Sequence, residues 1–177
     1  MDASNTLIPY ADKRKFYAEL AREIAALADS VWFTALANAS ASIKQHLPDV
    51  NWAGFYLLRG QELVLGPFQG LPACVRIALP KGVCGTAAHE QRSIVVHDVD
   101  EFPGHIACDS ASRSEVVIPM INAGRVFGVL DVDSPTVGRF DDEDRLGLEQ
   151  VVAAILKSNE CLVRFLAEFG AASQKVF

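Results

Sequence analysis

Apolar side chains recur every three or four positions at Phe16, Leu20, Ile24 and Leu27, which is the spacing of one helix face and predicts a helix over 11–28. Asp29-Ser30 can end it and cap a second helix with the stripe Val31, Ala35, Leu36, Ala39, Ile43 and Leu47, which Pro48 stops. The pattern then changes. Residues 51–58 are rich in aromatics and read as a strand, Arg59-Gly60-Gln61 as a turn, and 62–65 as the returning strand. Gly66-Pro67 and Gly70-Leu71-Pro72 predict a loop, followed by a third strand over 73–79. A turn at 81–85 opens a short helix over 86–90, and 93–96 is a short strand. Two β-rich runs, 115–122 and 125–132, flank the hairpin signal Ala123-Gly124. Acids at 141–144 suit a helix N-terminus, and Leu146, Leu148, Val151, Val152, Ile155, Leu162 and Phe165 carry one long helix to about Phe169.

Two helices, about six strands joined mostly by short turns, and a closing helix predict an α+β domain. Its central sheet is six-stranded and largely antiparallel, with the N- and C-terminal helices on one face. Residues 1–10 and 171–177 read as tails around a single domain over 11–170. The irregular stretch 98–114 holds Phe102, Pro103, His105, Ile106 and Cys108, poor composition for disorder, and reads as an ordered lid or binding loop.

Half of the 177 residues are hydrophobic and 21% are charged, which excludes a disordered chain. The net charge of −6, without a basic cluster, argues against nucleic acid. No apolar run reaches the roughly 18 residues a membrane span needs. The first residues lack the basic flank and apolar stretch of a secretory signal. The expectation is a cytoplasmic protein with its four cysteines reduced at rest.

Two constellations carry chemistry. Among the cysteines, Cys161 on the closing helix reads as a small buried hydrophobe, and Cys74, alternating with Val75 and Ile77, as strand packing. Cys84 between Gly82 and Gly85 suits a mobile resolving thiol. Cys108, in a polar loop without apolar periodicity, is either a nucleophile or a structural thiol; Asp109 beside it disfavours the thiolate. Cys84-x4-His89 and His105-x2-Cys108 lack the tight pairs of structural zinc sites, so no metal is assigned. The second constellation is acidic. Asp131 and Asp133 share a strand face at the end of an apolar run, with Glu115 on the partner run. Strands disfavour aspartate, so either Asp133 caps the turn at Ser134-Pro135 or the acids form a pocket. Such a pocket would bind an ammonium group or keep one carboxyl protonated as a donor. Trp52 and Tyr56 share a face of the first strand; Tyr56 reads as core, and Trp52 as core or the apolar wall of a pocket.

The series Asn51-Trp-Ala-Gly-Phe-Tyr, Leu65-Gly-Pro-Phe-Gln-Gly70, Gly82-Val-Cys-Gly-Thr86, Phe102-Pro-Gly-His-Ile-Ala-Cys-Asp109, Ser114-Glu115 and Val129-Leu-Asp-Val-Asp-Ser-Pro135 resembles the free methionine-(R)-sulfoxide reductases, single GAF-domain enzymes. The likeness runs from about Ala35 to Ile155, with all three family cysteine positions in order. It implies that Cys108 attacks the sulfoxide sulfur and that Cys84 and Cys74 are recycling thiols. It further implies that Glu115, Asp131 and Asp133 hold the amino group and polarise the oxygen, and that Trp52 lines the pocket for the methyl group. No cofactor is implied. Thioredoxin would be the reductant, and a homodimer is implied only by GAF habit. The rival readings are a non-catalytic GAF module binding a small ligand and a zinc-stabilised or redox-sensing protein. The lack of an output domain and the three ordered cysteines argue against the regulatory module.

Overall fold

A computed structural model describes residues 8–29, 31–106 and 110–171. The chain runs α1 (Lys13–Ala26), α2 (Trp32–His46), β1 (Trp52–Arg59), β2 (Glu62–Gln69), β3 (Arg76–Ala78), α3 (Gly82–Glu90), β4 (Ile94–Val96), a single 3-10 turn (Val99–Glu101), β5 (Ser114–Asn122), β6 (Arg125–Ser134), α4 (Asp142–Ser158) and α5 (Glu160–Ala171). The six strands form one sheet in the order β3-β2-β1-β6-β5-β4, and every pairing is antiparallel.

The strands alternate, so each sheet face acquires its own core. Leu57, Ile118, Leu130 and Val132 face the layer built from α1, α2, α4 and α5, as the terminal helical stripes required. Trp52, Tyr56, Val117 and Val129 face the other way, under Val83, Cys84 and Ala87 of α3. No described helix is long and apolar enough to cross a membrane.

Four local expectations are corrected. β2 does not stop at Leu65 but continues through Gly66-Pro67 to Gln69. Its register against β1 slips between Gly54 and Tyr56, and the proline, which cannot donate to a ladder, falls at that irregularity. β3 is only three residues long, so Cys74 lies in the coil before it rather than alternating within a strand. α3 begins at Gly82, four residues earlier than the expected Thr86, because Gly82 takes φ 61° and turns the chain straight into the helix. The closing helix breaks at Asn159 (φ −131°), whose side-chain amide donates to the Ile155 carbonyl at 3.0 Å. Leu162 and Leu166 keep the spacing of the Ile155 face and turn inward, and Cys161, off that face, is exposed instead of buried.

Of the expected N-terminal tail, residues 1–7 lie outside the described residues, as do 172–177 of the C-terminal one. Residues 8–10 are tied to the body. The Ile8 amide donates to His46 Nδ1, and the Tyr10 hydroxyl donates to Asp144. Asp144 is fully buried near the start of α4, where it completes a capping box with Asp141. It also accepts from Tyr17 at 2.8 Å and pairs with Lys13 at 2.8 Å and Arg139 at 3.3 Å. Asp144→Ala would leave those cations and two hydroxyls facing a hole. We expect a loss of about 3–5 kcal/mol in urea-unfolding stability; a change below about 1 kcal/mol would show the hub is not a stabilising centre.

Candidate active site

The antiparallel register assembles the acids. Glu115 on β5 pairs directly with Asp133 on β6, and Asp131 lies diagonally from it, two residues along the same face. On the other side of β6, Trp52 pairs with Asp133 and Gly54 with Asp131. A Cβ on Gly54 would lie 2.6 Å from the Trp52 ring and 2.3 Å from the Phe68 Cβ, so only glycine lets those two rings stack, with centroids 5.3 Å apart.

The first turn of α3 lowers Cys84 onto this face, and its Sγ–H donates to Glu115 Oε1 at 3.8 Å. Tyr56, Cys84, His105, Glu115, Asp131 and Asp133 line one cavity, closed further by Ile77, Val83, Ile106 and Ser112. Its volume is about 30 Å³. That suits one or two waters or an ion, so an amino acid entering it must push the covering residues aside. His105 Nε2 stands 3.8 Å from Glu115 Oε2, and Ser112 Oγ accepts from Asn51 Nδ2 at 3.0 Å.

No lysine or arginine lies among the described lining residues. Burial, then the neighbouring Asp131 and Asp133 charges, hold Glu115 well above the usual carboxylate range. Burial likewise pushes Asp131 up to about 6, against hydrogen bonds from Cys84 and Glu115. Burial and the charges of Asp131 and Glu115 raise the Cys84 thiol. A first-turn cysteine ordinarily gains thiolate character from the helix N-terminus, but here the acids win and the thiol stays protonated. Burial lowers His105, so the imidazole does not neutralise the acids at neutral pH. Asp131 Oδ1 is buried with no hydrogen-bond partner among the described residues. The site therefore holds proton donors next to a carboxylate that lacks a cation.

Cys84, Glu115, Asp131 and Asp133 are thus brought together, and the shared-face reading of the two aspartates holds. Trp52 is on the same face but does not line the cavity: it stacks behind Tyr56, centroids 5.9 Å apart, and its indole N–H donates to the Leu71 carbonyl. Cys74 is disulfide-bonded, whereas Cys84 and Cys161 are free. Cys108 lies outside the described residues. His89 is exposed near the far end of α3, away from buried Cys84, so these two do not form half of a zinc site. Sequence reasoning missed Tyr56, His105 and Ser112 as lining residues. The face shared by Tyr56 and Asp131 was a usable signal for the first, whereas the loop residues gave none beyond their place in a long ordered connection.

A GAF-domain model matches residues 18–157. The free methionine-R-sulfoxide reductase of Escherichia coli K12 is 51% identical over 148 residues, spanning 82% of this chain and 90% of that protein. The reductase of the same name from Saccharomyces cerevisiae is 46% identical, spanning 72% and 75%. The solved structure of free methionine-R-sulfoxide reductase from Neisseria meningitidis in complex with its substrate superposes with a TM-score of 0.84 at 40% identity, covering 91% of this chain and 99% of that one.

The raised carboxyls have a measurable consequence. Asp131 titrates from an ordinary 3.8 to about 6 in the folded protein. Between those values the folded chain holds more protons than the unfolded one, so stability falls as pH rises through the window. Asp131→Asn should raise stability near pH 8 by on the order of 1–3 kcal/mol and flatten the pH dependence of the melting temperature between about pH 4 and 6. A lower melting temperature at pH 8 with an unchanged slope would contradict this account.

Proposed function

The chain belongs to the GAF-domain family and, within it, to the free methionine-R-sulfoxide reductases; from that premise we propose that it reduces free L-methionine (R)-sulfoxide by thiol chemistry at the acid-lined cavity. The observation that carries this reading is a protonated thiol and buried carboxyls around one small void with no lysine or arginine among the described lining residues. A substrate ammonium supplies the missing positive charge, at Asp131 and Asp133. Glu115, held protonated, donates to the sulfoxide oxygen, without which the sulfur is a poor electrophile. Tyr56, backed by Trp52, offers the apolar side for the terminal methyl group.

Cys108 is the nucleophile in this scheme. Ile106, two residues before it in sequence, lines the cavity. Attack of the Cys108 sulfur on the sulfoxide breaks the S–O bond, releases methionine and leaves a sulfenic acid, so that the sulfoxide is reduced and the thiol oxidised. A second thiol condenses with the sulfenic acid, forming a disulfide and releasing water. Cys74 and Cys84 are the recycling thiols. The disulfide-bonded state of Cys74, beside free Cys84 and Cys161, supports Cys74 as the end point of oxidation. A dithiol reductant of the thioredoxin kind, in a reducing cytoplasmic setting, restores the thiols by exchange.

The acids also account for a preference for the free amino acid. A peptide or acylated substrate has no ammonium, and burying the carboxylates against a neutral amide would cost about 3–5 kcal/mol. N-acetyl-methionine sulfoxide should therefore show kcat/KM lower by at least about 100-fold than the free compound in a thioredoxin-coupled NADPH assay; comparable values would remove the acids from amino-group binding. Peptide mapping of reduced protein treated with one equivalent of free methionine (R)-sulfoxide should yield a Cys74–Cys108 linked peptide. Full coupled activity in Cys108→Ser would exclude the nucleophile, and a linked pair lacking Cys108 would overturn the scheme.

A further inference from the structure

We propose that the same cavity is a binding site for one Zn²⁺ or a similar borderline-soft divalent ion, held by Cys84 Sγ, Glu115 and Asp131 with His105 closing the coordination. One ligand atom from each of the first three lies within 4.8 Å of the others. Zinc bonded to sulfur at about 2.3 Å and to oxygen at about 2.1 Å in a tetrahedron sets those atoms roughly 3.6 Å apart; Cys84 Sγ and Glu115 Oε1 are 3.8 Å apart. The corresponding nitrogen–oxygen spacing is roughly 3.4 Å, and His105 Nε2 stands 3.8 Å from Glu115 Oε2. The Cys84–Glu115 spacing needs only a few tenths of an ångström of adjustment, whereas His105, which stands by the other Glu115 oxygen and outside that cluster, must move inward to close the shell.

The cluster alone would not make a site. The independent sign is Asp131, a cavity-lining residue only 7% exposed, whose Oδ1 has no hydrogen-bond partner among the described residues. A buried carboxylate oxygen in that position is costly unless a cation meets it. The void of about 30 Å³ is the size of an ion and too small for an amino acid. The donor set selects among ions. One sulfur, one imidazole and two carboxylates suit zinc or cobalt, whereas magnesium and calcium need six or more oxygens. On binding, the Cys84 thiol and the protonated Glu115 carboxyl each give a proton to solvent, and the thiolate and carboxylates coordinate the ion; nothing is oxidised or reduced.

This inference does not rest on turnover, so it stands or falls apart from the reductase scheme. Non-reduced protein carrying Cys161→Ser, in which Cys74 is disulfide-bonded, keeps Cys84 as a free thiol. Titrated with Co²⁺, it should develop a near-ultraviolet thiolate-to-cobalt band that saturates at one equivalent and is bleached by one equivalent of Zn²⁺. Adding Cys84→Ser should abolish the band. Adding Asp131→Asn should keep the band but weaken Co²⁺ binding by at least about tenfold. Absence of the band in the Cys161→Ser protein, its persistence in a folded Cys84→Ser variant, or unchanged affinity in Asp131→Asn would each overturn the assignment. The Asp131 variant decides the matter if the Cys84 variant does not fold.

Discussion

Three carboxylates sit on neighbouring antiparallel strands, and the register that pairs Glu115 with Asp133 leaves them no way to separate. Buried like charges at that distance are unfavourable, and the described lining residues include neither lysine nor arginine to offset them. Burial and the neighbouring charges raise the proton affinity of Glu115 and Cys84, and one Asp131 oxygen has no hydrogen-bond partner among the described residues. The stability lost there is recovered elsewhere, above all in the apolar layer between the sheet and its four outer helices.

The two faces of the sheet divide the labour accordingly. On one, long aliphatic and aromatic side chains interlock with α1, α2, α4 and α5, and the buried Asp144 carboxylate is met by two cations and two hydroxyl donors. On the other, a nine-residue helix and a loop cover a smaller core. Both faces bury carboxylates, but among the described residues no lysine or arginine lines the cavity of the second.

Much of this was legible in the sequence because it depends on periodicity. The period-two spacing of Trp52 with Tyr56 and of Asp131 with Asp133 put each pair on one face, and the aspartates stood out because strands disfavour them. The order of helices and strands followed from the same reading. What was not legible depends on tertiary context. The break at Asn159 is marked by one side-chain hydrogen bond to Ile155, invisible in an otherwise continuous apolar stripe. Pro67 misled because a proline usually marks a loop, yet a register slip against β1 lets it stay in a strand. His105 and Ser112 reach the cavity from an irregular segment that has no period to read.

Gly82 ties the cavity's roof to its thiol. A Cβ there would lie 3.3 Å from the Ile106 side chain, and the residue's left-handed backbone starts the helix that carries Cys84. Any side chain at 82 would therefore press on Ile106 and strain the turn that starts the helix, disturbing the cavity's cover and the thiol's support together.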